Sequence, residues 1–139
     1  KDYDAICVTT NGICKSNGDL VMGAGIAKEF KKRYPEIPNL LGSLVRQSGN
    51  KSYIFVGFDD PTIVSIPTKH HWKDSSDIEL IKKSMTGLVE HTDIAKWKRV
   101  LLTRPGCGRG SLDWNDVKPI LEPLLDDRFF VISPSRIEE

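Results

Sequence analysis

Charge of one sign is the first thing the sequence has little of. Twenty Lys plus Arg stand against nineteen Asp plus Glu, a formal balance of +1 over 139 residues. A protein that holds a polyanion mainly by neutralising phosphates carries a larger basic surplus, so broad coating of nucleic acid is excluded and only a local basic patch stays open. Cysteine is scarce too. Cys7, Cys14 and Cys107 form no CxxC pair and cannot all be paired within the chain. That argues against a disulfide-built secreted scaffold and for a reducing, cytoplasmic compartment. His70, His71 and His91 supply no HxxxH or Cys/His metal spacing, so no metal site is expected. No apolar run approaches the ~18 residues of a membrane span. The opening Lys1-Asp2-Tyr3-Asp4 does not start a signal peptide.

What is present suits one globular domain over residues 1–139. The chain is 39% hydrophobic, with three Trp, three Tyr and five Phe, enough for a single core and too much for intrinsic disorder. Asp4 to Thr10 is a β-branched apolar run that ends at Asn11-Gly12, a buried strand followed by a turn. Residues 11–20 hold a cluster of turn formers. After Gly25, the spacing of Ile26, Ala27, Phe30 and Tyr34 predicts a helix that Pro35 stops, with Lys28, Lys31, Lys32 and Arg33 on a solvated face. A weaker helix is predicted from Asn39 to Gln47. Ser52 to Phe58 and Thr62 to Ile66 read as a hairpin turning at Asp59-Asp60-Pro61. Ser76, Asp77, Ile78 and Glu79 form a capping-box pattern before a helix that carries Ile81, Met85 and Leu88. Lys98 to Thr103 reads as a strand, Trp114 to Leu125 as a helix, and Phe129 to Ser133 as a last strand. Strands alternating with helices predict an α/β domain whose sheet is mixed but mostly parallel.

Three segments carry candidate chemistry. The first runs through Met22, Gly23, Ala24, Gly25 and Ile26. Its small residues let a ligand approach the backbone, and the following helix start offers free N–H groups to an anion. The second contains Gly106, Cys107, Gly108, Arg109 and Gly110, with glycines at alternate positions that suit a nest around a phosphate. Neither is a Walker loop or a six-residue dinucleotide fingerprint. Cys107 is read as a small residue filling a tight turn rather than a reactive thiol. The third runs from Pro67 and Thr68 through Lys69, His70, His71, Trp72 and Lys73, after a predicted strand. There Lys69 is a candidate nucleophile or electrostatic clamp, while Trp72 is read as packing. Two glycine loops at the carboxyl edge of one sheet suggest a ligand with two phosphates, or a phosphate and a sugar.

Taken together and in this order, these motifs resemble a macro domain. The similarity is to the subgroup of terminal ADP-ribose glutamate hydrolases and DNA ADP-ribosyl glycohydrolase antitoxins, and it extends from Asp4 to about Ser133. The resemblance implies a three-layer α/β/α sandwich with ADP-ribose in its crevice. It implies that Asn11 meets the distal ribose, and that Gly23, Ala24, Gly25 and Ile26 wrap the diphosphate and distal ribose. Gly106 to Gly110 would form the second phosphate loop, and Lys69 would break the ADP-ribosyl bond. The implied partner is ADP-ribose or an ADP-ribosylated nucleic acid or protein; no cofactor or metal is implied, and a monomer is expected. Where glutamate-specific members have an assisting aspartate, this sequence has Gly110, which sits better with the DNA-directed subgroup. Asp113 lies beyond that loop and reads as a helix N-cap. The family's Gly-Asp-Ile/Leu segment, whose Asp recognises adenine, and its usual first strand are not found ahead of Asp4. Either they are absent here, or Asp4 or another residue substitutes. The loop from Gly12 to Asp19 is longer than the family interval. The expected activity is ADP-ribosyl hydrolysis, with a non-catalytic ADP-ribose reader and an ADP-ribose 1″-phosphate phosphatase as the alternatives.

Overall fold

A computed structural model describes residues 2–58, 61–108 and 110–133. Five strands form one sheet in the order β2-β3-β1-β4-β5. They are β1 (Ala5–Thr10), β2 (Tyr53–Phe55), β3 (Thr62–Pro67), β4 (Val100–Thr103) and β5 (Phe129–Ile132). β1 lies in the middle, parallel to β3 in the register Ala5↔Thr62 to Thr10↔Pro67 and to β4 at Ala5↔Val100 and Ile6↔Leu101. β5 runs parallel to β4, and only β2 is antiparallel, pairing with β3. The mixed, mostly parallel sheet matches the sequence expectation. The turn at Asp59 and Asp60 lies outside the described residues, as does Arg109.

The central strands are apolar on both faces because both faces are covered. On one side α3 (Ile78–Ala95) and α4 (Trp114–Leu121) bury Ala5, Cys7, Val64, Ile66, Ile81, Met85, Leu88 and Val117. On the other, α1 (Gly25–Arg33) and α2 (Ile37–Ser48) bury Val8, Leu20, Met22, Ala27, Ile37, Leu41 and Ile63. Cys7 and Val8, adjacent in sequence, enter opposite cores, as the two-residue period of a strand requires. The result is the three-layer α/β/α arrangement. Burial pushes the Cys7 thiol well above its ordinary pKa, so it behaves as a small core hydrophobe. All three cysteines are free.

Some element limits differ from the sequence reading, each for a local reason. α4 stops at Leu121 instead of Leu125. Pro119 already removes one amide donor, and Pro123 cannot continue the helix. β2 keeps only three residues because it is an edge strand with a single partner, and Gly57 turns the chain with φ +91°. α2 begins earlier, at Ile37, with Pro38 in its first turn where a missing N–H costs nothing.

The parallel strands β1, β3 and β4 all point their carboxyl ends at one edge of the sheet. The loops after them, residues 11–24, 68–77 and 104–113, therefore meet there. These are the three segments singled out in the sequence. Asp4 lies at the opposite edge, where its carboxylate accepts from the Lys98 and Arg99 amides at 2.7 and 3.1 Å. It joins the starts of two strands and is too far along β1 to serve these loops as an adenine-recognising acid.

Candidate functional site

The loop after β1 is a small folded hairpin, which accounts for its length. Val21 N donates to Ile13 O at 2.9 Å, Lys15 N to Asp19 O at 2.7 Å, and Cys14 bridges Leu20. Asn11 holds the base of this hairpin. Its carboxamide donates to Val21 O and accepts from Ile13 N, both at 3.0 Å. One amide hydrogen and one oxygen lone pair remain for other partners. Pro38 O of α2 clamps the outer strand through Leu20 N at 2.8 Å. The hairpin thus delivers the chain to Gly23, Ala24 and Gly25, all exposed, at the start of α1.

Met22 and Ile26 flank this exposed stretch differently. Met22 is 1% exposed and belongs to the core. Ile26 packs partly against the same core. Ala24 is the N-cap of α1 and supplies no side-chain acceptor. The N–H groups of the first turn are therefore left without a cap, in the arrangement that accepts an anion.

The second glycine loop is tightly fitted. Gly106 has φ +80°, and a Cβ there would approach Ile81 Cδ1 to 2.7 Å. Gly106 O accepts from Leu112 N at 2.9 Å, closing the loop on itself. A Cβ on Gly110 would stand 2.1 Å from Ser76 Oγ and 2.4 Å from Gly106 O. No side chain fits there, which explains why the loop carries no acid at that position. Gly108 is exposed at the tip. Cys107 is half-buried, and burial raises its thiol pKa; the opposing effect of Arg104 is smaller, and Asp113 adds to the rise. That suits a turn-filling residue and not a thiolate. Asp113 accepts from Asn115 N at 2.9 Å and caps α4, as the sequence predicted.

The loop after β3 is hydrogen-bonded to both of the others. Thr68 N donates to Thr10 O, and Gly12 N to His70 O at 3.1 Å, tying it to the first loop. Ser76 N donates to Gly110 O at 2.9 Å, tying it to the second. Pro67 and Thr68 are buried, and their backbone groups serve this stitching. Ser84 Oγ on α3 donates to Pro67 O at 2.6 Å. Thr68 O accepts from Asp77 N at 2.8 Å. Lys69 emerges immediately after this fixed point. Its carbonyl accepts from Asn50 Nδ2 at 3.0 Å, and its ammonium donates to Trp72 O at 3.4 Å.

Two features of this loop correct the sequence reading. The N-cap of α3 is Asp77, which accepts from Glu79 N at 2.9 Å, and not Ser76. Ser76 is drawn beneath the second glycine loop by its own amide bond, and its hydroxyl is buried without a hydrogen-bond partner. Trp72 does not pack into the core; it is 49% exposed. Asp77 also bonds His70, Nε2 to Oδ2 at 2.9 Å, so the two ends of the loop are clasped. This bond holds the Asp77 carboxyl below its ordinary pKa against an opposing desolvation effect, with the Glu79 and Leu80 amides assisting.

Asn50 and Ser84 are the supporting residues that motif reading passed over; Ser76 and Asp77 were read only as a capping box, without their part in joining the loops. Asn50 lies 19 residues before its partner and Ser84 17 residues after its own, and nothing local marks either pairing. A shallow depression of about 260 Å³ lies elsewhere, between α1 and the amino-terminal halves of β1 and β3. Ile6, Phe30, Tyr34 and Ile63 line it, away from the glycine loops. Among the described residues no group of three or more His, Cys, Asp or Glu side chains could hold a metal ion. No helix among them is long and apolar enough to cross a membrane.

Comparison with known proteins agrees with this geometry. The family model described as Macro domain matches residues 15–121. A DNA ADP-ribosyl glycohydrolase of Mycobacterium tuberculosis is 33% identical over 104 residues, covering 70% of this chain and 30% of the relative. The chain thus spans 30% of the length of that curated relative. Among solved structures, the macrodomain of Mycobacterium tuberculosis DarG superposes with a TM-score of 0.78 at 28% identity, covering 96% of this chain and 91% of that one. The Thermosipho africanus DarTG structure in complex with ADP-ribose superposes with a TM-score of 0.82 at 22% identity, over 98% of this chain and 39% of that one.

Proposed function

The chain belongs to the macro domain family, and from that premise we propose that it binds ADP-ribose at the carboxyl edge of its sheet and hydrolyses an ADP-ribosyl linkage there. The carrying observation is that the lysine loop is hydrogen-bonded to both glycine loops, through Gly12 to His70 and Ser76 to Gly110. A diphosphate held by backbone N–H groups would thereby fix the distal ribose relative to Lys69. The glycines at 23 and 25, the uncapped start of α1 and the exposed Gly108 supply that backbone. Asn11 has one N–H and one lone pair left to meet the ribose.

Lys69 acts at the anomeric C1″. The bond from C1″ to the target breaks, its electron pair leaves with the target, and water completes the hydrolysis. The transition state has oxocarbenium character, which the neutral Lys69 amine meets with its lone pair, either by bonding C1″ and then being displaced by water or by stabilising the cation until water adds. The water oxygen ends on C1″ and its proton goes to the departing target. Pro67, Thr68, Asn50 and Ser84 hold the backbone from which Lys69 reaches out. The target is an ADP-ribosylated nucleic acid. Support comes from the relative named a DNA ADP-ribosyl glycohydrolase. It comes also from Gly110, whose packing leaves no room for the acid that assists in glutamate-directed members.

Lys69→Ala should abolish ADP-ribose release while leaving calorimetric ADP-ribose binding near that of the wild type. Unchanged turnover would overturn the role of Lys69. Tight binding with no release from any DNA, RNA or protein substrate by the wild type would favour a reader instead. Phosphate release from ADP-ribose 1″-phosphate, indifferent to Lys69→Ala, would favour the phosphatase.

A further inference from the structure

Five large apolar side chains among the described residues are substantially exposed: Leu40, Val56, Trp72, Ile94 and Ile132. Trp72 is the aromatic one, and it alone belongs to a loop of the candidate site. Its surroundings are organised. His71 Nδ1 accepts from Lys73 N at 3.1 Å, and Asp74 N closes a turn on His71 O at 3.1 Å, so the imidazole is oriented by its own backbone. The imidazole and indole centroids are 5.5 Å apart with their planes tilted by 33°. Lys73 Nζ stands 5.3 Å from the indole centroid. The ledge is joined to the reactive centre through the bond from Lys69 Nζ to Trp72 O at 3.4 Å.

We propose that Trp72, with His71 and Lys73, is a stacking ledge for a base of single-stranded nucleic acid next to the ADP-ribosylated nucleotide. An exposed indole beside a flexible cation is the combination that holds single strands, the ring taking a base face and the cation a phosphate. A base arriving on the indole displaces the Lys73 ammonium, which is exposed and free to swing to the adjoining phosphate. A duplex is a poor occupant because its bases are stacked on one another. The near-neutral chain also limits the contact to a short reach of strand, since a +1 balance supports no long electrostatic track.

This inference rests on the hydrolase reading for the position of the modified nucleotide, so its test has one arm that needs no turnover. In a Lys69→Ala background, fluorescence anisotropy compares a short single-stranded oligonucleotide carrying one ADP-ribosylated base with ADP-ribose alone. Adding Trp72→Ala should weaken oligonucleotide binding about tenfold, the size of one lost base stack, and leave ADP-ribose binding unchanged. Trp72→Phe should keep most of the affinity. The second arm measures kcat/KM for ADP-ribose release by otherwise wild-type protein. Trp72→Ala should lower it for the oligonucleotide and not for the ADP-ribosylated mononucleotide. Equal losses on oligonucleotide and small ligand would overturn the ledge and make Trp72 a shaper of the lysine loop. No loss on either would overturn it outright, and a loss found only with an ADP-ribosylated peptide, run beside them in both arms, would assign the surface to protein. Absence of turnover by the wild type, with the binding difference intact, would defeat the hydrolase reading and leave the ledge standing.

Discussion

Gly110→Ala is the substitution for which the structure makes the sharpest demand. The added Cβ would stand 2.1 Å from Ser76 Oγ and 2.4 Å from Gly106 O. The Ser76 hydroxyl has no hydrogen-bond partner and can turn aside, but the backbone has no easy retreat: Ser76 N is bonded to Gly110 O, and the Gly106 carbonyl already accepts from Leu112 N. Gly106 cannot move towards the core either, because Ile81 and Leu112 are packed against it. The loop must open, and opening breaks those two hydrogen bonds. At about 1 kcal/mol each the loss is about 2 kcal/mol, within the ~1–3 kcal/mol range for an overpacked site. With an unfolding entropy of about 2.1 cal/mol/K per residue, a 139-residue chain should lose roughly 7 °C in Tm. Differential scanning calorimetry measures the shift, and isothermal titration with ADP-ribose should report weaker binding because the second glycine loop is displaced. Ser76→Gly in the same chain removes the nearer clash but not the one with Gly106 O, so it should restore stability only in part. A Gly110→Ala protein that melts with the wild type would refute the account of why this loop carries no side chain.

Other predictions follow from the same network. Ser84→Ala removes the 2.6 Å bond between the buried Ser84 hydroxyl and Pro67 O; urea denaturation should show a loss of about 1 kcal/mol, and a change indistinguishable from zero would contradict it. The His70–Asp77 clasp gives a pH dependence. The folded Asp77 pKa lies below its ordinary value near 3.8. The clasp therefore contributes above that value, and its contribution is lost as pH falls through the lower folded value. Melting curves of wild type and His70→Ala should differ near neutrality and converge in acid; a gap that persists below the folded pKa would count against the clasp.

The sequence by itself determined the elements whose cause is local. Alternating apolar runs and punctuating glycines and prolines marked the five strands and four helices, and two glycine loops with Lys69 between them marked the candidate site. Asp113 was legible as a cap because a cap is a relation between neighbours. Where local rules competed, the order of strength was hidden. Ser76 and Asp77 both suit an N-cap, and the choice fell to Asp77 because Ser76 N is bonded to Gly110 O, 34 residues further on. Only the tertiary structure brought Asn50 to Lys69 and Ser84 to Pro67, since such pairings depend on which helix covers which strand end. Trp72 divides the two most plainly. Residue type alone favours burial for an indole, but the turn at His71 to Asp74 and the packing of the neighbouring loops leave it at the surface. The near-zero net charge was readable from composition. That the proposed site needs so little charge follows from the fold, because the parallel strands bring the uncapped start of α1 and the two glycine loops to one edge, where backbone N–H groups suit an anion without a cationic surplus.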